Sequence, residues 1–176
     1  MPGANSANLT YRLSSNVRVA KYTGLVKDAT DSTATRFFAS VPTAPSGGNG
    51  PWQKAPAGVT LEQYVEPNQF YPEDTDPTTI TGTTPSGGYT LGGTGVGLDR
   101  GITLAERGAR IRCYAAGAIN AGDKVCIADQ YGRVNNYANL ALAGGTRLFT
   151  LGTAVSKSTA ANDVIFVDLN PGPDTV

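Results

Sequence analysis

Side chains suited to acid–base or nucleophilic chemistry are scarce in this sequence. It contains no histidine, so imidazole-based nucleophile activation, proton transfer and metal ligation are excluded. The densest carboxylate run, residues 73–76 (EDTD), lies between Pro72 and Pro77. No surrounding core would raise a carboxyl pKa there for acid catalysis. We therefore predict that the protein is not an enzyme, with a carboxylate-based glycan hydrolase as an alternative.

Candidate ligand motifs fail on their spacing. A calcium loop starting at Asp74 would need Glu at its twelfth position, where the chain has Pro85. Cys113 and Cys126 lack the paired spacing of zinc ligands. The glycine run at 93–97 lacks the Gly-Lys-Ser/Thr ending of a phosphate loop, and no helical pattern follows it. We expect no metal and no cofactor.

Cys113 and Cys126 lie in alternating apolar surroundings, a pattern typical of reduced, buried thiols. A disulfide between them across a hairpin is the alternative. Residues 1–20 lack a secretion signal, and no stretch reaches the roughly 18 apolar residues of a membrane span. We expect synthesis in a cytoplasm and no membrane association.

Charge is balanced overall but segregated along the chain. The 14 basic residues equal the 14 acidic ones, so net charge gives no attraction to nucleic acid, and nucleic-acid binding is not expected. Residues 61–99, however, carry six acids and no base. This acidic segment either meets a basic surface on a neighbouring chain or is simply solvated.

Three zones differ in composition. Residues 1–41 read as a loose tail followed by two short strands, at 17–22 and 36–41. Residues 42–100 hold eight of the eleven prolines, which prevents long regular elements. Since an unstructured loop of that length is rare inside a compact domain, we predict an extended arm that is ordered by contacts outside its own core. Residues 101–176 form the third zone, a small β-barrel domain.

Aromatic side chains support the prediction of an arm that contacts partners. A solvated linker would contain few of them, and burial of one contributes roughly 1.5–3 kcal/mol. The alternative is that they cover the core of their own domain. The partner-contact candidates are Trp52, Tyr64, Phe70, Tyr71 and Tyr89.

The third zone has the pattern of an all-β fold, a small barrel or sandwich. Residues 129–133 (DQYGR) predict a tight turn. Residues 120–127 are echoed by residues 160–167, and in each an Asp after small residues precedes an apolar strand. The predicted strands are 101–104, 109–115, 124–128, 133–134, 146–152 and 164–169.

These turn-and-strand motifs, at 119–125, 129–134, 151–154 and 160–169, resemble those of capsid cement, or head-decoration, proteins of tailed bacteriophages. The resemblance covers roughly residues 101–170. Asn162 stands where such proteins have glycine in the second turn, which keeps the turn chemistry. No functional residue is carried over, because the motif reports a scaffold.

The resemblance implies a structural virion protein that binds the major capsid protein on the capsid exterior, as a homotrimer, after synthesis in the host bacterial cytoplasm. A phage tail-tube, fibre or adhesion module is the structural alternative, because such proteins are also β-rich and have no catalytic residues.

Overall fold

The computed structural model describes residues 9–13, 17–18, 22–27, 38–40, 42–61, 82–83 and 101–176. Within these ranges the chain forms twelve β-strands and two short 3₁₀ turns, and it contains no α-helix. The prediction of an all-β fold is confirmed. The described part of the chain has no helix with the length and apolar character needed to span a bilayer.

Five strands of the N-terminal half form one sheet. Their pairings form a closed ring in the order β1-β4-β3-β5-β7, in which only the β1–β4 pair is parallel. The two remaining strands, β2 and β6, pair with each other. The strands in chain order are β1 (Leu9–Leu13), β2 (Val17–Arg18), β3 (Gly24–Lys27), β4 (Phe38–Ser40), β5 (Pro56–Thr60), β6 (Gly82–Thr83) and β7 (Gly101–Ala105).

Two predictions about zone boundaries are wrong. The predicted loose tail contains β1, which pairs with both β4 and β7. The strand at 101–104 was assigned to the C-terminal domain, yet it is β7 and lies between β5 and β1 in the N-terminal sheet. Pairing partners distant in sequence fix both strands, and local composition does not report such partners.

The C-terminal half forms a second, antiparallel sheet in the order β10-β9-β11-β12-β8. A single parallel bridge between Ala115 and Val134 joins its two edges, so no strand ladder closes it into a barrel and the arrangement is sandwich-like. Its five strands correspond to the five predicted between 109 and 169, although β12 continues to Thr175, beyond the predicted end at 169. They are β8 (Arg110–Tyr114), β9 (Lys124–Ile127), β10 (Val134–Asn136), β11 (Arg147–Ala154) and β12 (Val164–Thr175).

One hydrophobic core joins the two sheets. Val26 and Val59 from the first sheet pack in the same cluster as Val125, Ile165 and other side chains of the second, and these four are fully buried. Burial of apolar area is the dominant favourable contribution to folding. The shared cluster therefore makes the two halves energetically interdependent.

Part of the predicted arm belongs to this body. All five residues of β5 are buried, so residues 56–60 of the predicted arm 42–100 are ordered by contacts within the chain and not by external ones. The backbone N–H of Leu61 donates to the carbonyl of Thr103 at 3.2 Å. The end of β5 thus lies next to the start of β7. Residues 62–100 connect these two neighbouring antiparallel strands. Except for Gly82 and Thr83, that connection lies outside the described residues.

The two similar turns are built in the same way, as predicted. The Asp123 carboxylate accepts from the N–H of Asn120 at 2.9 Å, and the Asp163 carboxylate accepts from the N–H of Ala160 at 3.0 Å. The third residue of each turn has positive φ, +92° at Gly122 and +69° at Asn162. Asparagine tolerates this left-handed conformation better than most residues, so the departure from glycine leaves the turn intact.

The two turn units also bond reciprocally. The carbonyl of Asp123 accepts from the N–H of Ala154, and the carbonyl of Asp163 accepts from the N–H of Ala115. The pattern is that of a local two-fold repeat, in which each turn anchors the strand end of the other. Asp123 and Asp163, both half-buried, therefore stabilise the scaffold through their carboxylates and their backbone carbonyls.

Candidate interaction surfaces

The structure describes one of the five predicted partner-contact residues. Trp52 is 5% exposed and packs against Cys126 and Leu148, so it covers the core of its own chain and is not available to a partner. Gly50 makes room for its ring, since a Cβ there would lie 2.4 Å from the indole. The other four candidates, Tyr64, Phe70, Tyr71 and Tyr89, lie outside the described residues.

Trp52 carries an unusual feature for a core residue. Its indole Nε1–H is buried and has no hydrogen-bond partner among the described residues. An unsatisfied buried donor costs roughly 1–3 kcal/mol. Within the described residues, apolar contacts hold the ring in place despite the cost of the buried N–H.

The arginines of β8 take part in contacts within the chain. Arg110 donates two hydrogen bonds to the Asp168 carboxylate, at 2.7 and 2.9 Å, and thereby lowers the pKa of Asp168. The Arg112 guanidinium lies 5.8 Å from the centre of the Phe166 ring and 5.9 Å from that of Tyr22. The contacts with Asp168 and Phe166 join β8 to β12 across the sheet surface, and the contact with Tyr22 joins β8 to the residues just before β3.

An apolar stripe is exposed on this same face. Val155, Val164 and Phe166 are 38%, 44% and 42% exposed; Val155 donates its N–H to the carbonyl of Phe166, so the two are cross-strand neighbours. The sequence alone does not reveal this stripe, because a continuous apolar run does not show which residues face outward. Period-two alternation supplies the answer once the pairing is known, since Ile165 and Val167 fill the core.

Three adjoining depressions surround the last residues of β12, and we name them together the terminal-strand groove. Their volumes are 320, 610 and 260 Å³. The first and second share Phe149, whereas the third shares Pro171 with the first and Pro173 with the second. The charged residues that line the groove are Lys27, Glu106, Arg107, Lys124, Arg147 and Asp174.

The edge of β12 beside this groove cannot accept another strand. Pro173 pairs with Phe149, and because proline has no N–H, this pair is not hydrogen-bonded and the Pro173 backbone faces away from β11. Two residues earlier, the carbonyl of Pro171 accepts from Arg107. The N–H of Thr175 donates to the preceding carboxylate. Proline on an exposed edge is a common protection against strand addition.

Several carboxyl groups among the described residues have lowered pKa values, because they accept hydrogen bonds that hold the fold together. The Asp174 carboxylate accepts hydrogen bonds from Lys124 Nζ at 2.8 Å, from the backbone N–H of Thr175 and from Tyr137 Oη at 3.0 Å. These bonds lower the pKa of Asp174 to about 2. Backbone and amide donors lower the pKa values of Asp123 and Asp163. A low pKa favours the ionised form, which is the opposite of what a general acid requires.

The two cysteines are buried free thiols, as predicted, and not a disulfide. Burial raises the pKa of Cys126 to about 12 and raises that of Cys113 as well. Among the residues that the structure describes, no group of three or more Cys, Asp or Glu side chains is placed to hold a metal ion.

The fold and its surfaces define an all-β protein with an exposed apolar stripe and a charged groove. No protein-family model matches the chain, and no curated protein matches it. Its function is therefore inferred from its own residues and geometry.

Proposed function

We propose that this chain is a structural virion protein that binds the outside of an assembled tailed-phage capsid, through the major capsid protein, and stabilises the shell. The proposal rests on a contrast between the charged and the apolar surface residues of the second sheet. Its charged residues hold turns and neighbouring strands together, while Val155, Val164 and Phe166 stay exposed on one face. The resemblance of residues 101–170 to cement proteins supports the same function.

The apolar stripe supplies a magnitude for shell binding. Full burial of a Val or Phe side chain contributes roughly 1.5–3 kcal/mol, and about two-fifths of each side chain remains to be covered. The three residues together then contribute about 2–4 kcal/mol per copy. A homotrimer would engage three such stripes at once, and avidity would turn these modest contacts into stable binding. A ligand that binds only the closed shell makes the shell harder to open.

Residues 62–100 offer a second contact region in this proposal. They are inserted where β5 and β7 lie side by side, because Thr60 pairs with Leu104. An insertion at such a point can extend toward a partner without interrupting either strand. It contains Tyr64, Phe70, Tyr71 and Tyr89, the remaining predicted contact residues.

The location of the chain in purified virions tests the proposal. We expect cryo-electron microscopy and copy-number measurement to find hundreds of copies on the outer face of the head. A few copies at the tail would instead favour a tail-tube, fibre or adhesion module and would refute the cement function.

A binding assay with shells that lack the protein tests the stripe. We expect Val164→Thr combined with Phe166→Ser to weaken binding about fivefold to thirtyfold per chain, because about 1–2 kcal/mol of apolar contact is lost. Val176→Thr is the matched control, since Val176 is a similarly exposed apolar residue at 40%. Equal binding by the double variant and the control would rule out the stripe as the shell contact.

The insertion is tested by replacing residues 62–99 with a short Gly/Ser turn. Such a turn can join β5 to β7 because the two strands are adjacent, although the β2–β6 pair is lost. We expect the shortened chain to unfold cooperatively but to bind shells more weakly. Undiminished binding would limit the contact to the folded body.

A further inference from the structure

We propose that the terminal-strand groove binds the acidic stretch 62–76 of a second copy of this chain. The inference goes beyond the proposed function, because it concerns how copies bind one another and does not depend on a capsid. It connects two features that lie far apart in the sequence, a basic groove and an acidic segment.

Charge complementarity is the first argument. Four cations and two anions line the groove, so four minus two gives a net charge of +2. Lys124 is paired with Asp174 at 2.8 Å, which leaves most of the positive charge on Lys27, Arg107 and Arg147. Residues 62–76 contain five acids and no base, hence a charge of −5. Complementary charge steers association and fixes the register of the partners.

Apolar content is the second argument. Prolines and Phe149 form the walls of the groove. The acidic stretch carries Tyr64, Phe70 and Tyr71 among its carboxylates. The rest of the groove lining is polar or charged to a similar extent, and an aromatic side chain can bury its ring against the apolar part while neighbouring carboxylates pair with the cations. The stretch thus offers both kinds of contact that the groove presents.

The blocked edge of β12 fixes the mode of binding. Because Pro171 and Pro173 have no N–H and Thr175 already donates to Asp174, an incoming chain cannot join the sheet as another strand. It must be held by its side chains, through ion pairs and apolar contacts. Binding by surface ion pairs weakens as salt screens them, so association should depend strongly on ionic strength.

Sedimentation velocity of the full-length chain tests the proposal, with salt concentration as a variable. We expect self-association at low salt that weakens as salt is raised. Lys27→Glu with Arg147→Glu should weaken association at least about tenfold, through loss of two attractions and gain of two repulsions. The control is Lys54→Glu with Lys157→Glu, two exposed lysines that do not line the groove. It makes the same change in net charge and should leave association unchanged.

A mixing experiment decides whether the two regions meet between chains. Glu73→Lys with Asp74→Lys should likewise weaken self-association at least about tenfold. Mixed with the Lys27→Glu/Arg147→Glu chain, it should restore a heteromeric complex, because the opposite charges are exchanged. Failure of the mixture to associate, an equal effect of the control pair, or a wild-type chain that stays monomeric at low salt would each overturn the proposal. Since no shell is present, these outcomes are independent of capsid binding.

Discussion

Truncation of Trp52 tests whether the 51–53 segment belongs to the cooperative core. The indole buries about 200 Å², which corresponds to roughly 5 kcal/mol of transfer free energy as an upper bound. A compact unfolded chain lowers this by about 10–40%. Removing the ring also removes the unpaired Nε1–H, which offsets roughly 1–3 kcal/mol. These contributions leave about 0–3.5 kcal/mol, and the cavity left by the ring adds a further cost. We therefore expect Trp52→Ala to lower the free energy of unfolding by about 2–3 kcal/mol.

Trp52→Phe separates the two contributions. It keeps most of the ring contacts with Cys126 and Leu148 and removes the buried N–H, for which the described part of the chain offers no acceptor. The lost area and the removed penalty nearly cancel, so we expect stability within about 1 kcal/mol of wild type.

Urea denaturation of the three proteins, followed by far-ultraviolet circular dichroism, measures both changes at once. Circular dichroism is preferable to fluorescence because the chain has a single tryptophan, which both variants remove. If Trp52→Ala lowers the free energy of unfolding by less than about 0.5 kcal/mol, as surface substitutions do, residues 51–53 are not part of the core. The prediction that they belong to an arm ordered by external contacts would then stand.

Three further predictions concern the turns, the salt network and the thiols. Gly132→Ala should lower the free energy of unfolding by well over about 1 kcal/mol, because φ is +72° and a Cβ would lie 2.5 Å from a backbone oxygen of β3. Gly122→Ala should lower it by only about 1 kcal/mol in the same urea assay, because φ is +92° but the space around Gly122 is open. Asp174 has its pKa lowered to about 2, so its stabilising contribution is present above the unfolded pKa near 4 and is lost as pH falls toward 2; Asp174→Asn should flatten stability in that window alone. Cys113 and Cys126 should resist a thiol reagent at pH 8 and react only in denaturant, and rapid labelling of the native chain would contradict their burial.

Local patterns predicted the elements whose cause is local. The turn at 129–133 forms because the Asp129 carboxylate accepts from the N–H groups of Tyr131 and Arg133, at 3.0 and 3.2 Å, and all three residues lie within one stretch of five. The two similar Asp turns follow the same logic. Strand pairing is not local, and it was therefore out of reach: nothing near β1 shows that its partner β7 lies about ninety residues later.

The misassignment of β5 shows how composition can mislead. Proline and glycine suggested irregular chain, yet each has a specific place in this strand. Pro56 is its first residue, next to a register shift in the pairing with β3, and proline is tolerated at the start of a strand or at a bulge. At Gly58, a Cβ would lie 2.5 Å from the carbonyl oxygen of Ala105, so only glycine allows β7 to approach.

Strand pairing also determines which side chains form the exposed surfaces. An average over a window counts Val164 and Phe166 with Ile165 and Val167 as one apolar run, although the pleat sends two of them to the core and two to solvent. It likewise cannot bring Lys27, Arg107 and Arg147 into one groove, since three separate strands or turns contribute them. Composition can be read from the sequence, whereas a binding surface depends on which strands pair with each other. The chemistry of a protein that acts through surfaces therefore becomes visible only once each strand has its partner.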